Sequence, residues 1–170
     1  GDGAGAAIIS RANGNSEILS THLHSDGKYC KELWVKEPST LSANRLNEES
    51  IKNGEHYVDM NGREVFRHAV TRFPETINEA LKANNLTTDD INLLIPHQAN
   101  LRISSMIQKK MGFPDEKIYN NIQKYGNTTA ASIPICLSEA LDEGRINKGD
   151  LLVCAAFGSG FLWGSTIIKW

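Results

Sequence analysis

The sequence predicts an α/β protein, a mixed sheet covered by helices. Short, largely apolar runs at Ile91–Ile95 and Leu151–Ala156 suit buried strands. Between Gly62 and Asn84, apolar residues recur at three- and four-residue spacings and suit a long amphipathic helix. Segments of the two kinds alternate along 170 residues, a length that supports one domain with a sizeable core.

The elements follow in chain order. Ala6–Ile9 and Ile18–Leu23 read as two strands joined by a hairpin at Asn13-Gly14, a favoured turn pair. Periodicity fails from Ser25 to about Asp59, where Gly27, Pro38 and Gly54 punctuate a long loop suited to partner or substrate contacts. In the helix from Gly62 to Asn84, Val65, Phe66, Ala69, Val70, Phe73, Ile77, Ala80 and Leu81 form the stripe, and Pro74 predicts a kink or a break. Ile91–Ile95 is a strand ending at Pro96, and Leu101–Met111 a helix stopped by Gly112 and Pro114. Thr128–Glu143 reads as a helix, Leu151–Ala156 as a buried strand, and Gly164–Trp170 as a last strand after a glycine-rich turn.

Composition narrows the function. With 18 Lys plus Arg against 20 Asp plus Glu, the net charge of −2 gives no whole-chain case for nucleic-acid binding. A 40% hydrophobic content fits a globular chain, and no apolar run approaches a membrane span. Cys30, Cys136 and Cys154 are spaced for neither a disulfide framework nor a zinc site; with no export signal visible, the expectation is a reducing, cytoplasmic setting. The chain opens in glycine-rich backbone without a methionine, which suggests a fragment or a processed chain.

Four motifs bear on chemistry. Gly1-Asp-Gly-Ala-Gly-Ala6 satisfies a dinucleotide fingerprint by letter, but no strand precedes it and a strand, not a helix, follows. Its glycines read instead as room for a neighbouring segment. His97 stands just past the carboxyl end of a strand, where α/β sheets place ligands; it serves a ligand or merely the N-terminus of the helix beginning near Asn100. Asn127, after Gly126, can donate its amide to a ligand, although by itself a helix cap is the simpler role. The small residues of Phe157-Gly-Ser159-Gly160 would let a backbone N–H approach a reacting carbonyl as an oxyanion hole, or merely form a tight connection. Cys136 and Cys154 sit in apolar surroundings and Cys30 lacks an obvious histidine partner, so the set has donors without a nucleophile.

Taken together, these motifs resemble the carboxy-terminal half of the β-ketoacyl-acyl-carrier-protein synthase III family of the thiolase superfamily. Gly1–Ala6 resembles the motif opening that half, and Met60-Asn-Gly62-Arg-Glu-Val65-Phe66 its M-x-G-x-x-V-F segment. His97-Gln-Ala-Asn100-Leu-Arg102 is similar to its P-H-Q-A-N-x-R segment, Gly126–Ser132 to G-N-T-S-A-A-S, and Phe157–Ser165 to F-G-G-G-x-x-W-G-S. The resemblance implies one half of a thiolase-like αβαβα sandwich, a homodimer when complete, and a nucleophilic cysteine on the amino-terminal half. It further implies decarboxylative Claisen condensation of acyl-CoA with malonyl-carrier protein to a 3-oxoacyl product, with thioester substrates and no cofactor or metal. His97 and Asn127 are then the donors to the malonyl thioester oxygen, and the Ser159 N–H the oxyanion donor, with serine where the family has glycine. Asn100 would bind the pantetheine arm, while Met60, Gly62, Phe66 and Phe157 would lie along the tunnel. Arg102 would meet the acidic acyl carrier protein, although for it and for Lys109 and Lys110 a solvated helix face is the alternative. Two other functions stay open: a condensing enzyme or acyltransferase of secondary metabolism, and a non-catalytic partner subunit.

Overall fold

The computed structural model describes residues 1–11, 14, 16–41 and 43–170. Four strands make the main sheet: β1 (Glu17–Ser25), β4 (Leu93–Pro96), β5 (Leu151–Gly158) and β6 (Leu162–Lys169), in the order β1-β6-β5-β4. β4 and β5 run parallel, and the other neighbours are antiparallel, giving the mixed sheet expected. Residues alternate between faces along each strand, and the core divides accordingly. Leu94, Val153 and Ala155 join the cluster beneath α2 (Gly62–Ala83) and α3 (Leu101–Met111), with Phe73, Ile77 and Ile107. Leu93, Ile95 and Leu152 join the opposite cluster with Cys136 and Ala140 of α5 (Ser132–Asp142). The sheet is thus the middle of three layers.

Helix α2 runs 22 residues without interruption through Pro74, so it does not break into two helices there. Proline lacks the N–H that would bond the carbonyl four residues back, at Val70. The Lys110 ammonium of α3 takes that carbonyl instead, at 2.9 Å. Inside the layer, the buried Thr76 and Ser165 pair through their hydroxyls at 3.0 Å, and the Ser165 hydroxyl also donates to the Thr76 carbonyl at 2.7 Å.

Three other expectations need correction. Ala6–Ile9 forms no strand: Ile8 and Ile9 are exposed, and among the described residues no neighbouring strand offers these residues a ladder. The glycines before them do permit close approach, since a Cβ on Gly5 would lie 2.3 Å from Pro134 Cβ. The Asn13 half of the expected hairpin turn lies outside the described residues. The stretch from Ser25 to Asp59 is no plain loop. It holds the hairpin partners β2 (Leu33–Val35) and β3 (Val58–Met60), with the short helix α1 (Glu48–Lys52) between them. The helix expected from Thr128 starts later, because Thr129 has φ of 51° and residues 129–131 form a 3₁₀ turn before α5. Pro134 is tolerated in the first turn of α5, where its missing N–H would have had no helical partner.

Candidate functional site

The first candidate side chain stands just past the end of β4. Pro96 closes the strand, and the His97 N–H continues the ladder onto the Ala155 carbonyl at 2.8 Å, which fixes the imidazole at the carboxyl edge of the sheet. A tight turn, Ala99 N–H to His97 carbonyl at 3.0 Å, then leads into α3, and Asn100 caps that helix by accepting the Arg102 N–H at 2.9 Å. The capping uses the Asn100 carbonyl oxygen and leaves its amide Nδ2 for a ligand.

The second side chain is held the same way. α4 (Ile122–Tyr125) ends at Gly126, whose φ of 71° with ψ of −162° suits only glycine, and the chain turns into Asn127. Asn127 Oδ1 accepts the Thr129 N–H at 2.9 Å. Asn127 is thus not the cap of a long helix but the arm of a turn, holding β-branched Thr129 in the left-handed region at an energetic cost. Again the carbonyl oxygen is consumed locally, and no hydrogen bond among the described residues takes up the Nδ2 amide.

The third contributor is the connection between β5 and β6. A Cβ on Gly160 (φ 134°) would lie 2.6 Å from Leu162 Cγ, so the turn demands glycine there. No hydrogen bond within the described residues takes up the Ser159 N–H.

These three loops open on one cleft of about 1260 Å³ that is bounded by β5, β6, α2 and the β2–β3 hairpin. All nine residues singled out from the sequence line it: Met60, Gly62, Phe66, His97, Asn100, Arg102, Asn127, Phe157 and Ser159. Phe157 is also a core residue, its ring 4.8 Å from that of Phe161. Arg102 lies with its guanidinium 5.6 Å from the Phe66 ring, which links α3 to α2 at the cleft rim. Trp34, Val35 and Val58 complete the wall, so part of the segment read as a loop is indeed cleft lining.

Burial lowers the basicity of His97 below the ordinary value of 6.5, so the ring is neutral at physiological pH. Its Nδ1 lies 2.6 Å from the hydroxyl of buried Ser132. In the sequence Ser132 is only the last residue of the Gly126–Ser132 motif, and its hydroxyl, five residues after Asn127, is the one signal of a polar contact. Of the three cysteines, only Cys154 lines the cleft, and burial pushes its thiol up to about 12. Cys136 is likewise pushed up to about 12 and donates to Asn121 Oδ1 at 3.1 Å. Neither is poised as a thiolate. The arrangement collects neutral N–H donors around a largely apolar cleft.

The chain has known relatives both in sequence and in fold. The fold is that of one thiolase-like half. A family model described as 3-oxoacyl-[acyl-carrier-protein (ACP)] synthase III C terminal matches residues 81–170, and the chain belongs to that family. The beta-ketoacyl-[acyl-carrier-protein] synthase III of Clostridioides difficile is 45% identical over 170 residues, covering 100% of this chain and 51% of the relative. The protein of the same name from Campylobacter concisus is 43% identical over 169 residues, covering 99% and 50%. The crystal structure of 3-oxoacyl-[acyl-carrier-protein] synthase III from Aquifex aeolicus superposes with a TM-score of 0.82 at 36% identity, over 95% of this chain and 47% of that one. The chain therefore spans about half the length of the curated relatives it matches.

Proposed function

We propose that this chain is the carboxy-terminal half of a condensing enzyme that joins an acyl group from acyl-CoA to malonyl-acyl carrier protein, giving 3-oxoacyl-carrier protein and initiating fatty-acid synthesis. The observation that carries the reading is the convergence of His97, Asn127 and the Ser159 N–H on one cleft without a poised nucleophile among them.

The chemistry matches those residues. Loss of carbon dioxide from a malonyl thioester leaves an enolate, so the thioester oxygen needs hydrogen-bond donors and no carbon-bound proton has to be removed. Neutral His97 and the Asn127 amide supply two such donors. The Ser159 N–H receives the oxygen of the acyl-enzyme thioester when the enolate attacks it. In this reading the acyl-carrying cysteine belongs to an amino-terminal half that closes the cleft, and the complete enzyme is a homodimer. Asn100 Nδ2 meets the pantetheine arm, Met60, Gly62, Phe66 and Phe157 line its path, and Arg102 meets the acidic carrier protein. The substrates are thioesters and no cofactor or metal takes part. No helix of the described residues is long and apolar enough to cross a membrane, and we place the enzyme in the cytoplasm with its carrier protein.

Peptide mapping by mass spectrometry after exposing the complete enzyme to acetyl-CoA tests this assignment. The expected product is a single acyl-cysteine outside residues 1–170. Stoichiometric acylation of Cys30, Cys136 or Cys154 overturns the division of labour.

A further inference from the structure

We propose that Ser132 is a positioning residue that fixes the tautomer of His97, giving its hydroxyl proton to Nδ1 so that Nε2 carries the ring proton into the cleft. The proposal rests on the reading of His97 as a donor and explains how that donor is prepared.

Ser132 opens α5 and is 1% exposed, so its hydroxyl has no access to water. It has two polar neighbours. The Gln98 backbone N–H donates to its oxygen at 3.3 Å, and His97 Nδ1 lies 2.6 Å from the same oxygen. A backbone N–H can only donate, so that contact occupies one lone pair and gives the hydroxyl proton no destination. Among the described residues, Nδ1 is the remaining acceptor in reach. In the opposite tautomer, Nδ1–H would donate to an oxygen already receiving the Gln98 N–H, and the hydroxyl proton would be buried without a partner. Buried donors are seldom left so. With Nδ1 as acceptor, the neutral ring must bear its proton on Nε2.

The direction of the Gln98 N–H is itself held. Gln98 is 2% exposed, and its side-chain oxygen accepts the N–H groups of Asn121 and Ile122 at 3.0 and 3.2 Å. Its amide donates to the Pro96 carbonyl at 2.7 Å. The same side chain thereby ties the His97 loop to the segment leading into Asn127, so the two side-chain donors share one brace.

The test is a long-range proton–nitrogen correlation spectrum of the complete enzyme labelled with nitrogen-15 histidine, with His97 assigned by its absence in His97→Ala. The expected spectrum has an unprotonated Nδ1 and a protonated Nε2; the reverse pattern in the unmodified enzyme overturns the proposal without needing any variant. Ser132→Ala should give a tautomer mixture and lower kcat for malonyl decarboxylation roughly tenfold with KM little changed, as loss of one orienting hydrogen bond requires. Ser132→Thr, which keeps the hydroxyl, should restore the wild-type pattern. An unchanged tautomer in Ser132→Ala also overturns the proposal. Full activity in His97→Ala would instead remove the donor reading, while the tautomer spectrum would still report on Ser132 alone.

Discussion

Replacing Asn127 by aspartate would separate its structural contact from the donor role proposed for it. In the structure its Oδ1 accepts the Thr129 N–H at 2.9 Å, while Nδ2 has no hydrogen bond among the described residues and the residue lines the cleft. Asn127→Asp keeps an oxygen for Thr129 and so preserves the strained turn, but puts a second carboxylate oxygen where the donor was. Loss of one donor of this kind costs about 10²–10³ in kcat. The carboxylate then also repels the forming enolate: at about 4 Å and an effective dielectric of about 20 the repulsion is about 4 kcal/mol, roughly a further 10³. Asn127→Ala loses the donor without adding charge, so its activity should fall only about 10²–10³. It also loses the turn's hydrogen bond, costing about 1 kcal/mol of stability. The order is therefore inverted: the aspartate variant is the more stable and the less active. Thermal unfolding and release of labelled carbon dioxide from a malonyl thioester, both on the complete enzyme, give the two readings. If Asn127→Asp is as active as Asn127→Ala, or both stay within tenfold of the unmodified enzyme, the donor role is refuted.

Other consequences concern the scaffold and pH. Lys110→Met should destabilise by about 1 kcal/mol in urea unfolding by uncapping the Val70 carbonyl, but by almost nothing in a Pro74→Ala background, where a restored backbone N–H takes that carbonyl. Equal costs in the two backgrounds would show that Lys110 does not compensate for the proline. Burial depresses the His97 pKa below its ordinary 6.5, so the unfolded chain binds the proton more readily than the folded one. The sign follows: stability is complete above about pH 6.5 and declines as pH falls toward the folded-state value, and His97→Ala should flatten that decline. A pH–stability curve unchanged by the substitution would contradict the depressed value.

What the sequence made legible were features set by local pattern. The stripe from Val65 to Leu81 located α2, the apolar runs located β4 and β5, and the position of His97 after Pro96 located the site at the sheet edge. What it left hidden depends on contacts distant in the chain. Pro74 read as a break because its compensating partner, Lys110, lies on another helix. Leu33 pairs with Met60 across a long excursion that has no periodicity of its own, so the β2–β3 hairpin read as loop. Ala6–Ile9 has strand-like residues, but a strand exists only with a neighbour to pair with, which residue pattern alone does not supply. In the candidate site, His97 and Asn127 stand out as members of motifs, whereas Ser132 enters only because the fold brings it 2.6 Å from an imidazole 35 residues away.

The central claim is that this chain supplies the donors on which decarboxylation depends, and malonyl-thioester decarboxylation by His97→Ala in the complete, folded enzyme tests it most directly. The account predicts a fall of about 10²–10³ in kcat, with circular dichroism and unfolding temperature close to those of the unmodified enzyme. Decarboxylation retained within a few-fold, in a variant that is demonstrably folded, would contradict it.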